Sequence, residues 1–190
     1  MAERGRDTGS DVTGTIEPGT GPLAAITEIR GLGMILIRAD PTRAGDALAE
    51  AAGLAVPDTT RFTTDGARWL GWMAPDELLL ILPAAETAAT LAALRDALST
   101  EPALVEDVSA MRCVFDLSGP RAAEVLMKLT PADLSALPAD GVRRTRAAQV
   151  ACALWRHGDG WRVIAFRSIR DYLAEVLARA AAPGTGLAPR

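Results

Sequence analysis

Two stretches of this chain carry the same features in the same order, and that echo constrains the fold more than any single motif. Arg43-Ala44-Gly45-Asp46-Ala47-Leu48 follows one short apolar run, and Arg121-Ala122-Ala123-Glu124-Val125-Leu126 follows another. Farther along, Trp72 and Asp76 precede Leu78-Leu79-Leu80-Ile81, much as Trp155 and Asp159 precede Arg162-Val163-Ile164-Ala165. A final amphipathic helical pattern closes each stretch. The shared order predicts a duplicated strand–helix–hairpin–helix unit. Two such units are expected to place two small sheets back to back with helices outside, an α+β arrangement.

The punctuation between apolar runs supports this reading. Met34-Ile35-Leu36-Ile37-Arg38 suits a strand, after which Asp40 is placed to cap a helix, with Pro41 in its first turn, running to Leu54. A polar loop is expected through Gly66. Strands at 68–73 and 77–82 are joined by Ala74-Pro75-Asp76, and helix 84–98 carries Leu91, Leu94 and Leu98 at helical spacing. Strands at 105–109 and 113–117 come next, then Ser118-Gly119-Pro120 and a helix with Ala122, Val125, Leu126 and Leu129 on one side. The segment 131–138 is expected to hold a further turn of helix. Strands at about 146–156 and 161–166 flank His157-Gly158-Asp159-Gly160, and a last helix covers about 169–181. Residues 23–182 are therefore read as one domain of two similar halves. Residues 1–22, glycine-rich and polar, read as a disordered tail, and 183–190 as a frayed end.

The net charge of −4 gives no electrostatic reason to expect a nucleic-acid partner. No apolar run approaches the ~18 residues of a membrane span, and no signal peptide is evident, so a soluble cytoplasmic protein is expected. Cys113 and Cys152 lie in separate apolar stretches and read as buried free thiols. With His157 the only histidine and no CxxC pair, a zinc site lacks ligands. Neither GxGxxG, GxxxxGK[ST] nor GxSxG occurs. His157 is expected as a solvated turn residue. Asp40, Asp107 and Asp116 fall near strand ends, and Glu106-Asp107 form an acidic pair without the converging oxygens that a hard cation needs.

Basic charge is almost wholly arginine, Lys128 being the only lysine. Genome composition explains this, or an arginine-rich interface does. Arg143-Arg144-Thr145-Arg146 is the densest run, and three meanings are open to it: a solvated strand edge, a protein interface, or an anion contact. Trp69 and Trp72 are three apart in a strand and so face opposite sides, which puts one of them outside the core. An exposed tryptophan there would make an interface anchor. Trp69, Trp72, Arg143, Arg144 and Arg146 are thus the candidate partner surface. No catalytic, cofactor-binding or metal-binding residue is assigned.

Four blocks carry a family resemblance. Trp69-Leu70-Gly71-Trp72-Met73-Ala74-Pro75-Asp76-Glu77-Leu78-Leu79-Leu80 resembles a conserved-looking stretch of the sarcosine oxidase gamma subunit family. Val105-Glu106-Asp107-Val108-Ser109 with Leu117-Ser118-Gly119-Pro120-Arg121-Ala122 is similar to its second block. Thr145-Arg146-Ala147-Ala148-Gln149-Val150 with Leu154-Trp155-Arg156, and Arg167-Ser168 with Tyr172-Leu173, resemble the third and fourth. The Leu-Ser-Gly-Pro-x-Ala block is also shared with the aminomethyltransferase superfamily, that of the glycine-cleavage T-protein. The resemblance implies a folate-binding-domain-like fold in a complex with alpha, beta and delta subunits that demethylates sarcosine. It implies no cofactor in this chain. FAD, FMN, NAD and tetrahydrofolate would sit on the larger partners, and zinc on delta. Folate-using relatives place an acidic residue on the strand that corresponds to Val150-Ala151-Cys152-Ala153-Leu154, where this chain has none. The alternatives are a free-standing folate-dependent aminomethyltransferase and an iron–sulfur assembly factor of the same fold.

Overall fold

Residues 22–187 are described by a computed structural model of the chain. The expected tail at 1–22 falls almost wholly outside them. Among the described residues, ten strands form two antiparallel five-stranded sheets. The first contains β2 (Leu32–Arg38), β3 (Phe62–Thr64), β4 (Trp69–Ala74), β5 (Glu77–Pro83) and β6 (Leu104–Asp107), in the order β3-β4-β5-β2-β6. The second contains β1 (Ala25–Ile29), β7 (Arg112–Ser118), β8 (Val142–Ala147), β9 (Val150–His157) and β10 (Gly160–Phe166), in the order β1-β7-β10-β9-β8.

Strand alternation explains how the layers stack. Along β5, Leu78, Leu80 and Leu82 join a core beneath helices α1 (Pro41–Ala52) and α2 (Thr87–Ala97), while Leu79 and Ile81 face the other sheet. Along β7, Cys113, Phe115 and Leu117 meet α3 (Ala122–Met127) and α4 (Arg170–Ala181), while Val114 faces inward. The result is helix, sheet, sheet, helix, with one core under each helical layer and a third between the sheets. The duplicated α+β architecture expected from the sequence is the one observed.

Two tryptophans fill the middle of the inter-sheet core. Trp69 lies over Gly71 on its own strand and stacks on Trp155 of the opposite sheet, with ring centroids 4.4 Å apart. Phe62 packs against Trp69 at 5.5 Å. Neither indole N–H meets an acceptor among the described residues. The halves also join along one flank, where Phe62 N–H donates to the Asp140 carbonyl (2.8 Å) and Val142 N–H to that of Thr60 (3.0 Å). Arg61 pairs with Asp140 at 2.8 Å.

Several boundaries differ from the sequence reading. β1 and β3 fall where no strand was expected. The single strand expected at 146–156 is two, β8 and β9, turning at Ala148, whose φ is +53°. Residues 131–138 form bends, not helix, and Asp133 ties the segment by accepting from Ser135. As far as Leu187 the C-terminal segment is not frayed: the Lys128 ammonium donates to the Thr185 carbonyl (2.9 Å), and Leu187 N–H donates to Glu124 (3.2 Å).

Candidate functional site

Every carboxylate singled out in the sequence is occupied by a structural partner. Asp40 caps α1, accepting from Thr42 N–H at 2.9 Å. Asp107 accepts from Ser109 N–H at 2.8 Å, Glu106 pairs with Arg95 at 3.1 Å, and Asp116 pairs with Arg162 at 3.4 Å. Among the described residues no three of histidine, cysteine, aspartate and glutamate gather as a metal site would require. His157 ends β9 and is exposed; burial of its ring, then the Arg162 charge, holds its pKa below the ordinary histidine value. Burial raises the Cys113 thiol and pushes Cys152 to about 11, so both are protonated at neutral pH.

Two depressions on the surface are likewise built from paired groups. One, about 620 Å3, is open and lined by Arg38, Asp40, Asp76 and Leu104, with Arg38 bound to Asp76 at 2.6 Å. A second, about 330 Å3, contains Glu28, which sequence reasoning missed. The Glu28 side chain is 9% exposed and is held by Arg170 at 2.8 Å, Arg30 at 3.2 Å and Arg167 at 3.5 Å. The Arg170 hydrogen bond holds its carboxyl below the usual range despite burial. Nothing in the Thr27-Glu28-Ile29 context marks this, because Arg167 and Arg170 come from a distant segment of the chain.

The candidate partner residues do not form one surface. Trp69 is a correction: it is 6% exposed and belongs to the inter-sheet core, because its strand face is covered by the second sheet. Trp72 faces the opposite way, as the spacing requires, but packs half-buried against the helix-side core of the first sheet. The arginines of β8 are on the surface. β8 is the edge strand of its sheet, and Arg143, Arg144 and Arg146 are exposed along it. Arg144 is used internally, donating to the Met73 carbonyl at 3.0 Å and lying 3.7 Å from Glu77. Arg143 and Arg146 meet no hydrogen-bond or ion-pair partner among the described residues. Phe166 and Met111, 44% and 55% exposed, were not singled out from sequence; Phe166 ends the otherwise buried run of β10, and Met111 lies in the short turn before β7.

These features define a two-sheet α+β protein of two similar halves, with exposed arginines, unpaired among the described residues, along the edge strand β8. The family model "Sarcosine oxidase, gamma subunit family" matches residues 37–183. The sarcosine oxidase subunit gamma of Corynebacterium sp. (strain U-96) is 36% identical over 160 residues, which cover 82% of this chain and 66% of that protein. The subunit gamma of Corynebacterium sp. (strain P-1) is 38% identical over 155 residues, 77% of this chain and 74% of the relative. Among solved structures, a chain of the heterotetrameric sarcosine oxidase from Corynebacterium sp. U-96 superposes with a TM-score of 0.80 at 31% identity, covering 88% of each chain. The glycine cleavage system aminomethyltransferase T from Bartonella henselae shares the fold, with a TM-score of 0.62 at 20% identity over 84% of this chain and 46% of that one. The chain belongs to the sarcosine oxidase gamma subunit family.

Proposed function

We propose that this chain is the non-catalytic gamma subunit of a heterotetrameric sarcosine oxidase, assembled with alpha, beta and delta subunits. In this reading the complex oxidatively demethylates sarcosine to glycine with release of hydrogen peroxide, and passes the one-carbon unit to tetrahydrofolate. FAD, FMN, NAD, the folate and zinc are held by the partner chains, in the cytoplasm. The β8 arginines, Arg143, Arg144 and Arg146, belong to the surface that meets a partner.

The observation that carries the reading lies on β9. The stretch that the family resemblance matches to the carboxylate-bearing strand of folate-using relatives, Val150-Ala151-Cys152-Ala153-Leu154, has no carboxylate, and Cys152, Ala153 and Leu154 are buried in packed cores. A pterin recognised there would meet methyl groups and a protonated thiol in place of a hydrogen-bonding acid. Co-expression with the other sarcosine oxidase chains is expected to yield a complex that retains this one through gel filtration. Calorimetry of the chain alone with tetrahydrofolate is expected to show no saturable heat. Saturable folate binding, or turnover of sarcosine by the chain alone, would replace this reading with that of a free-standing aminomethyltransferase.

A further inference from the structure

At one end of the second sheet the inward face loses its cover, and the strand register gathers a distinctive set of side chains there. Arg112 of β7 is the ladder partner of Phe166 of β10, and Arg146 of β8 is the partner of Ala151 of β9. One step inward, Val114 pairs with Ile164, Ile164 with Ala153, and Ala153 with Arg144. Because strand faces alternate, Arg112, Phe166, Ala151 and Arg146 share the face that Val114, Ile164 and Ala153 present to the first sheet. The first sheet covers the inner row and stops short of the outer one, leaving Phe166 and Ala151 exposed.

The charge on this shelf is unbalanced. Arg112 stacks on Phe166, its guanidinium 4.1 Å from the ring centroid. Its Nε is buried and meets no protein acceptor, and the side chain forms no ion pair among the described residues. A half-buried guanidinium without an anion is costly, since burial removes water that nothing replaces. Burial and the nearby Arg144 both disfavour its charged form, and Glu77, itself beside Arg144, opposes them. A cleft of about 60 Å3 lies between Arg112, Arg144, Phe166, Met73 and Glu77, room for roughly one carboxylate or two waters. An exposed aromatic ring bordered by arginines fits the composition of an interface centre.

The geometry points to this shelf as the docking site for an acidic segment of another chain of the complex, one that sets a carboxylate on Arg112 and an apolar side chain on Phe166 and runs along the row toward Arg146. The inference rests on the reading of the chain as a complex subunit and specifies where and with what chemistry it docks. A bidentate carboxylate would satisfy the Arg112 fork, and its desolvation is already partly complete in the free chain.

The test uses the co-expressed complex, with dissociation of this chain from the other sarcosine oxidase chains followed by interferometry. Arg146→Glu changes only an exposed side chain. Arg112→Met keeps the stack on Phe166 and removes the charge, and Phe166→Ala removes the platform. Glu50→Lys, on the exposed face of α1, is the control. Each shelf variant is expected to weaken binding at least about tenfold, and the control to leave it unchanged. Added salt is expected to weaken wild-type binding more than that of Arg146→Glu. If the wild-type complex forms and all three shelf variants bind like it, the docking assignment fails while the subunit reading stands. If no wild-type complex forms, both fail. Wild-type self-association lost in the same variants would assign the shelf to a second copy and overturn the proposal.

Discussion

The contact between the two halves can be tested at a single methyl group. A Cβ built on Gly71 would lie 1.9 Å from the outer ring of Trp69, so one of them has to move. Trp69 cannot swing aside freely, because Trp155 stacks on one side of it and Phe62 packs at 5.5 Å. Gly71→Ala gains about 0.4–1 kcal/mol from a stiffer unfolded chain. Against this, forcing extra volume into a packed core costs about 1–3 kcal/mol. The net expectation is a loss of about 1–2 kcal/mol, or a Tm lower by roughly 2–8 °C for a chain of this length. Trp69→Leu removes the clashing ring and leaves a cavity, with a loss of about 2–4 kcal/mol on the scale of large-to-small substitutions. Part of that loss is offset because an indole N–H without an acceptor among the described residues goes with it. In the double variant the new methyl enters the vacated space, so the two losses should fall short of their sum by about 1–2 kcal/mol. Urea denaturation of the four proteins gives this coupling directly. Gly71→Ala as stable as wild type, or losses additive to within about 0.5 kcal/mol, would refute the packing argument.

Two further outcomes follow from the ionisable groups. Glu28→Gln is expected to destabilise the chain at neutral pH by removing the partner of Arg170, and its difference from wild type should shrink in acid. The sign is fixed by the direction of the shift: the folded-state pKa is lowered, so the contribution is complete above the unfolded value and is lost as pH falls through the folded one. Urea denaturation of both proteins across the acid range checks it, and a difference that grows in acid would contradict it. Thiol titration of the native chain should show no fast-reacting cysteine, because burial keeps Cys113 and Cys152 protonated, and both should react once the chain is unfolded.

What the sequence revealed depended on whether the signal was local. The apolar run of β5, the Asp40-Pro41 start of α1 and the heptad-like leucines of α2 are short-range patterns, and each lies close to its expected place. β1 is different: Ala25–Ile29 is brief and only partly buried, and becomes a strand because β7, far along the chain, accepts its pairing. The tryptophan echo was misread in detail for a related reason. Trp72 and Trp155 match by sequence, yet Trp72 faces the helices and Trp155 the opposite sheet. Periodicity gave the opposite faces of Trp69 and Trp72 correctly but not which face was solvent, because both faces of this sheet are covered. The arginine run lies on the edge strand β8, which leaves its three meanings open, and Arg112 and Phe166 become neighbours only through the β7–β10 register.

The duplication itself shows where the chain has freedom to specialise. Aligning the halves by ladder position, Met34 and Ile81 of the first pair in the inter-sheet core just as Val114 and Ile164 do in the second, and all four are apolar and buried. One row outward the first half has Leu32 paired with Pro83, and the second has Arg112 paired with Phe166. Packing dictates the inner row in both halves and reaches the outer row only in part, through Leu32 at the margin of the inter-sheet core. A position that the fold does not need, and that one half nevertheless fills with a stacked, half-buried arginine, carries a cost to stability that packing does not repay. Its return has to come from outside the chain, which is why the shelf and not the tryptophan core is the place to look for a partner.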